Sequence, residues 1–342
     1  MTKNSKIKIH IKNNHGCPGT FPCDLEGEKN FTITRKHIEK ALENEPKIKE
    51  QTEFFIDWDE DNFNSSMLNS EILLTYDFPT ANIKKVAPNL KWIHCTAAGV
   101  EHLSPFSWAF DGLKLTNSSG VHAKKAGEYG LMSILMLQNH IPRIITNQKN
   151  KKYISLFSNP IAGKNIVLVG TGSLGSSMAK LVEPLGANII GVNKKGKPVE
   201  GCSRILTIDK IDTVLPEADI LYLALPETPE TKNLFDKKKL DLLKPSCGIV
   251  NIGRQSALDY EVLCKKLDNQ EIAGAILDVF ATEPVESNSK FWLTPNLIIT
   301  PHVSSDDNGN YVKMTLDLFI KNLKLFISNK ELVNQIDKNL GY

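Results

Sequence analysis

The chain has 342 residues, 41% of them hydrophobic and 23% charged, and a formal net charge of +2. A chain of this length accommodates two domains of ordinary size, each with its own core. The near-neutral balance, with no basic stripe interleaved by aromatics, argues against nucleic acid as a ligand, and no apolar run approaches the roughly 20 residues that cross a bilayer.

In chain order, MTKNSKIKIHIKN alternates apolar and charged residues, the pattern of neither a signal nor a transit peptide. Within it Ile7, Ile9 and Ile11 predict a half-buried strand. A polar loop rich in Gly and Pro then runs to about residue 30. Its Cys17 and Cys23 lack the second Cys or His pair of a zinc site and read as unpaired loop cysteines. The helical pattern TRKHIEKALENE comes next. Short apolar runs follow, EFFIDW, EILLTY, LKWIHC and LKLTNS, with helical or turn-like segments such as ANIKKVAP between them. Strands alternating with helices imply βαβ units and a parallel sheet, and this first unit ends near residue 118.

Residues 123–141, AKKAGEYGLMSILMLQNHI, make the longest helical stretch, with Pro142 as its stop. A polar connector, TNQKNKKYISLFSNP, leads to six strand-like runs: NIVLVG, ANIIGVN, DILYLALP, GIVNIG, IAGAILDV and LIITPH. SSMAKLVEPLG, DKKKLDLLKP and ALDYEVLCKKLDN between them read as helices, so the second unit is a doubly wound sheet buried on both faces. From about residue 309 the tail is one more amphipathic helix. Cys95, Cys202, Cys247 and Cys264 are scattered, mostly in apolar stretches. That usage in a chain this large is expected of reduced thiols in the cytoplasm.

Gly170, Gly172 and Gly175 in VGTGSLG have the G-x-G-x-x-G spacing, with an apolar strand before them and a helix after. Gly170 permits the tight turn, Gly172 lets a pyrophosphate approach the backbone, and Gly175 lets the helix pack on the strand. The N-terminus of the helix that follows offers its unpaired N–H groups to the phosphates, and Ser173 and Leu174 in the loop are further cofactor-binding candidates. The next strand ends on Asn193, where NAD-specific proteins place an Asp or Glu on the ribose hydroxyls. A neutral Asn193 can donate to a 2′-phosphate, and Lys194, Lys195 and Lys197 can supply charge, so NADP(H) is favoured over NAD(H). The alternative is solvated loop lysines in a lysine-heavy chain: Arg35, Arg143, Arg204 and Arg254 are the only arginines among 41 basic residues.

Three more segments end or follow strands of the second unit: NIGRQSALD with Arg254, LDVFATEP with Glu283, and ITPHVSS with His302. The carboxyl ends of strands in an open α/β sheet converge on one crevice, which brings an Arg, a Glu and a His together. Reduction of a 2-keto acid uses all three. A fixed cation holds the carboxylate and polarises the carbonyl. A histidine, whose free pKa is about 6.5, donates a proton to the developing alkoxide, and a carboxylate behind it fixes its tautomer.

The ordered set AAGVEH (97–102), NSSGVHAKKAGEY (117–129), VGTGSLG, LALPETPETKNL (223–234), NIGRQSALD, ILDVFATEP and TPHVSS resembles the D-isomer-specific 2-hydroxy-acid dehydrogenase family, in particular its glyoxylate/hydroxypyruvate reductase-like members. The resemblance implies two α/β domains, each with a doubly wound parallel sheet: a Rossmann-type cofactor domain, residues 119–305, inserted into a flavodoxin-like substrate domain, residues 1–118 and 306–342. It implies that Arg254 holds the substrate, Glu283 pairs with histidine, and His302 is the acid/base. Backbone N–H groups around Ala98, Gly99 and Val100 would grip the substrate carboxylate. Leu225 and Pro226 would run along the cofactor, with Thr231 and Ile252 near it. Asp278 would lie on the nicotinamide side, or have a packing role. Ser304 would touch the carboxamide, or cap the next helix. Gln255 departs from the smaller residue many relatives carry after the arginine, which alters the pocket or loop. A homodimer through the cofactor domain is implied, with residues 123–153 as its contact, unless that helix serves only the internal core.

The function expected from all this is NADPH-linked reduction of a small 2-keto acid, glyoxylate or hydroxypyruvate, to the D-2-hydroxy acid, with no metal. The rival readings are an NAD(H)-sensing binding protein like the corepressors of this fold, and a relative acting on formate or phosphite.

Overall fold

In the computed structural model, which describes residues 6–17, 20, 22, 24–58 and 62–338, the N-terminal apolar runs become five parallel strands. They are β1 (Ile7–Asn13), β2 (Thr52–Trp58), β3 (Ile72–Thr75), β4 (Trp92–Cys95) and β5 (Lys114–Thr116), in the order β2-β1-β3-β4-β5. This is the flavodoxin-like order. Successive side chains face opposite sides. Ile72, Leu74 and Trp92 therefore join one core with Ile9 and Ile11, while Leu73 and Ile93 join a second with Phe63 and Met67. Short helices α1 (Leu25–Phe31), α2 (Arg35–Ala41), α3 (Pro46–Gln51), α4 (Phe63–Met67) and α5 (Ile83–Val86) connect them.

The chain divides into two units, Met1–Val121 with Asp307–Tyr342, and His122–Asp306. The second holds α6 (Ala123–Gln138), α7 (Ile141–Lys149), α8 (Ser173–Val182), α9 (Lys237–Leu240) and α10 (Tyr260–Asp268). The tail helix α11 (Tyr311–Ile327) returns to the first unit. There Phe319 is fully buried and stacks on Trp92 at 5.0 Å between ring centroids. Burying a side chain of that size contributes about 1.5–3 kcal/mol.

The second unit's strands are β6 (Asn165–Val169), β7 (Asn188–Asn193), β8 (Arg204–Thr207), β9 (Ile220–Leu223), β10 (Gly248–Asn251), β11 (Gly274–Leu277) and β12 (Leu297–Ile299). Their order, β12-β11-β10-β9-β6-β7-β8, is all parallel and reverses between β6 and β9. That reversal is the topological switch point of a Rossmann-type sheet. Ile166 and Leu168 enter one core, Val167 and Val169 the other, so both faces are covered.

Four expectations change. Pro142 opens α7 at its first turn instead of closing the long helix, and the break falls at His140, whose φ is +56°. Proline lacks only an N–H that a first turn leaves unused. Part of the expected connector, up to Lys149, is therefore helical. The loop expected to reach residue 30 contains α1, capped by Asp24 accepting from Gly27 N–H. RILT forms a seventh strand, β8, paired on β7. Among the described residues the free thiols are Cys17, Cys95, Cys202, Cys247 and Cys264, while Cys23 lies outside them. No helix among the described residues is long and apolar enough to cross a membrane.

Candidate active site

The loop after β6 is built by contact, not by side chains. Gly170 has φ +95°, and a Cβ there would lie 2.4 Å from the Ala224 carbonyl oxygen. A Cβ on Gly175 would lie 2.1 Å from the Gly170 oxygen, which presses the first turn of α8 against the strand. A Cβ on Gly172 would meet nothing within 4 Å, so the backbone there opens outward. Gly172 is the N-cap of α8 and no side chain caps it. The amides of Ser173, Leu174 and Gly175 thus form an uncapped positive helix end.

Asn193 ends β7 and folds the following turn around itself. Its Nδ2 donates to Thr171 Oγ1 and to the Lys197 carbonyl, both at 3.0 Å, and its Oδ1 accepts from Lys195 N and Lys197 N, both at 3.2 Å. Both amide hydrogens are committed, so the hydrogen bond expected from Asn193 to a 2′-phosphate has no donor. Asn193 shapes the turn that carries Lys194, Lys195 and Lys197. Lys194 Nζ lies 3.4 Å from Glu230, and both side chains are exposed.

Arg254, Glu283 and His302 all follow the carboxyl ends of adjacent strands β10, β11 and β12. His302 Nδ1 donates to Glu283 Oε2 at 2.8 Å, and Phe280 N–H donates to Glu283 Oε1 at 2.8 Å. The pair is half-buried, His302 at 45% and Glu283 at 35% side-chain exposure. Burial pushes the His302 pKa down, but the hydrogen bond and charge of Glu283 outweigh it and the net shift is upward from 6.5. Burial likewise pushes Glu283 up, and the His302 bond and charge bring it below its ordinary value. The Arg254 charge acts on both groups, lowering each.

The His302 backbone is in the left-handed region, φ +53°. For a residue with a Cβ this persists only where the surroundings over-determine it. Asp278 supplies that hold. Its carbonyl oxygen accepts from His302 N at 3.0 Å, and its carboxylate accepts from Val303 N at 3.0 Å, Ser304 N at 2.9 Å and the Thr300 hydroxyl. Tyr129 reaches the same group through Thr300 at 2.7 Å. Asp278 is fully buried, so it braces the histidine loop and presents no surface to a ligand. Ser304 and Ile252, also expected near the cofactor, are buried. Ser304 does not cap α11, whose N-cap is Asn310.

Leu225 follows β9 against Gly170. Thr231 donates its hydroxyl to the Pro226 carbonyl at 2.7 Å and braces that loop. In the first unit, Ala98, Gly99 and Val100 follow β4. The Ala98 carbonyl is held by Asn117 Nδ2 at 2.7 Å. The three amide N–H groups have no hydrogen-bond partner among the described residues.

Sequence reasoning missed Asn251 and Tyr260. Asn251 is fully buried at the end of β10, with Nδ2 donating to the Arg254 carbonyl and to Tyr260 Oη, both at 3.1 Å. A polar residue closing the apolar run GIVN was the available signal.

A glycine loop at the switch point and a carboxylate-backed histidine beyond the carboxyl ends of strands in the same sheet fit a nicotinamide-type oxidoreductase. Residues 131–304 match the model of the D-isomer specific 2-hydroxyacid dehydrogenase NAD binding domain. The chain is 30% identical to a glyoxylate reductase of Thermofilum pendens over 68% of this chain and 71% of that one. It is 28% identical to a D-3-phosphoglycerate dehydrogenase of Synechocystis over 70% of its own length, but spans only 43% of that relative. The NADPH-dependent glyoxylate/hydroxypyruvate reductase of Sinorhizobium meliloti superposes with TM-score 0.79, covering 98% of this chain and all of that one, at 22% identity. The chain belongs to the D-isomer specific 2-hydroxyacid dehydrogenase family. Membership makes it an enzyme of the NAD(P)-dependent class.

Proposed function

We propose that the protein reduces a small 2-keto acid of the glyoxylate or hydroxypyruvate class to the D-2-hydroxy acid and prefers NADPH to NADH. The observation that carries this is the 2.8 Å bond from His302 Nδ1 to Glu283, on the sheet edge that also bears Arg254. The open backbone at Gly172 and the uncapped start of α8 fit a dinucleotide pyrophosphate. A nicotinamide dinucleotide held there supplies the hydride. With Nδ1 committed to Glu283, His302 Nε2 carries the proton given to the nascent alkoxide. Arg254 orients the substrate carboxylate and polarises the carbonyl. The amides of Ala98, Gly99 and Val100, in the first unit, are assigned to a carboxylate as well.

The glyoxylate reductase relative supports the substrate class, while the Sinorhizobium neighbour supports the fold alone. The cofactor preference rests on Asn193 in place of a carboxylate and on Lys195 and Lys197, which have no ion-pair partner among the described residues. Rates of NADPH and NADH oxidation with glyoxylate, hydroxypyruvate and pyruvate test both parts. Turnover is expected to be faster with NADPH, and Lys195→Ala with Lys197→Ala is expected to weaken NADPH far more than NADH. Preference for NADH would return the lysines to solvent, and tight cofactor binding without turnover would favour the sensor reading.

The same reading includes a homodimer through the second unit. Met132, Ile144, Tyr153, Ile154 and Phe157 support it as exposed apolar side chains, Tyr153 and Phe157 almost wholly so. Light scattering is expected to give twice the chain mass, and a monomer at micromolar concentration would overturn it.

A further inference from the structure

Arg254 and Glu283 sit on separate loops, and one buried side chain ties those loops together. Tyr260, in the first turn of α10, is 3% exposed. Its Oη accepts from Asn251 Nδ2 at 3.1 Å and donates to the Val279 carbonyl at 2.8 Å. The same Asn251 amide nitrogen holds the Arg254 carbonyl at 3.1 Å, and Asn251 Oδ1 accepts from Gly253 N at 3.0 Å. On the other side, the Tyr260 ring packs edge-on against Phe280 with centroids 5.8 Å apart, and against Phe291 at the same distance. Phe280 is the residue whose N–H holds Glu283 Oε1.

The path is therefore continuous: Arg254 main chain, Asn251, Tyr260, the Val279–Phe280 main chain, Glu283, His302. The Tyr260 hydroxyl and the Asn251 side-chain amide nitrogen are both used in it. A phenol whose only task was to fill the core would leave a hydroxyl to satisfy, at a cost that phenylalanine avoids. Here the hydroxyl both donates and accepts between the two loops. We propose that Tyr260 is a positioning residue, a clamp that fixes the spacing between the substrate-holding Arg254 and the Glu283–His302 pair. The inference rests on the roles proposed for those three residues. Misplacing reacting groups by about 1 Å from a distance costs about a hundredfold in rate.

The test is Tyr260→Phe in the full chain, which keeps the ring and removes the link. It is expected to lower kcat/KM for the keto acid by about ten- to a hundredfold while leaving the cofactor Kd within about twofold. Titration of the His302 ring by NMR, which needs no substrate, is expected to move down toward its ordinary value. In a Glu283→Gln background Tyr260→Phe is expected to cause no further movement, because the link to histidine is already cut. Wild-type kcat/KM with a wild-type His302 titration would overturn the clamp, whatever happens to Tm. If the parent enzyme reduces no keto acid, the proposed function fails, and the NMR titration still decides the clamp. Asn251→Ser, which shortens the link from the other side, gives the same readouts if Tyr260→Phe does not fold.

Discussion

Replacing His302 by Ala is expected to lower kcat for keto-acid reduction by about 10²–10⁴ with the cofactor Kd unchanged. In the proposed mechanism the imidazole is the proton source; its Nδ1 is held by Glu283 at 2.8 Å, and its side chain takes no part in the glycine loop that fits the dinucleotide. Stopped-flow reduction with a measured cofactor Kd checks both halves, and an unimpaired variant would remove His302 from the chemistry. The pH profile follows from the same pair. On that mechanism reduction needs the protonated ring, so the rate is expected to fall as pH rises through the folded pKa, which Glu283 holds above 6.5 against the burial that lowers it. Glu283→Gln removes the bond and the charge and leaves the burial, so the alkaline limb is expected to move to lower pH. For His302 linkage has the same sign, and for Glu283 the opposite one. The raised His302 pKa adds stability below about pH 6.5 that is lost as pH rises through the folded value. The lowered Glu283 pKa adds stability above about pH 4.3 that is lost as pH falls.

Gly175→Ala is expected to abolish useful cofactor binding and to lower the stability of the second unit. The new Cβ would lie 2.1 Å from the Gly170 carbonyl oxygen and 3.0 Å from Leu168. The first is a backbone atom, so no rotamer change relieves it, and α8 must move off β6. Overpacking of this kind costs about 1–3 kcal/mol, or about 2–4 °C in Tm per kcal/mol for a unit of this size. The displaced helix start takes its amide groups away from the pyrophosphate position. Fluorescence titration with NADPH beside a thermal melt checks the prediction. A variant that binds NADPH with the parent's Kd would show that this contact does not set the loop.

Much of this was legible because it depends on local pattern. Runs such as NIVLVG and GIVNIG became central parallel strands, since strands buried on both faces are apolar throughout. The placement of Arg254, Glu283 and His302 beyond the ends of neighbouring strands was readable because the apolar runs mark where those strands stop. The losses have physical reasons. Pro142 marks a helix start as well as a stop, and only the left-handed His140 decides which. LEGEKNF in α1 has no apolar stripe and no fully buried residue, so its Asp24 cap and the packing of Phe31 on Tyr311 hold it instead of a buried face. Asn251 and Tyr260 look like interruptions of core segments until the loops they join are seen together. Asn193 was assigned to a ligand because the turn that consumes its amide has no signature in the sequence.

That turn bears on how such a protein changes cofactor over evolution or in the hands of an engineer. The usual route to NAD places a carboxylate at the end of β7. Here Asp at position 193 would keep the acceptor for Lys195 N and Lys197 N. It would also set a negative oxygen against the Lys197 carbonyl, where Nδ2 now donates. The single substitution that would place a carboxylate there therefore also unfastens the loop that carries Lys195 and Lys197. A switch of cofactor at this site has to arrive as a linked set of changes across 193–197, and single-step variants along the way are expected to bind either dinucleotide poorly.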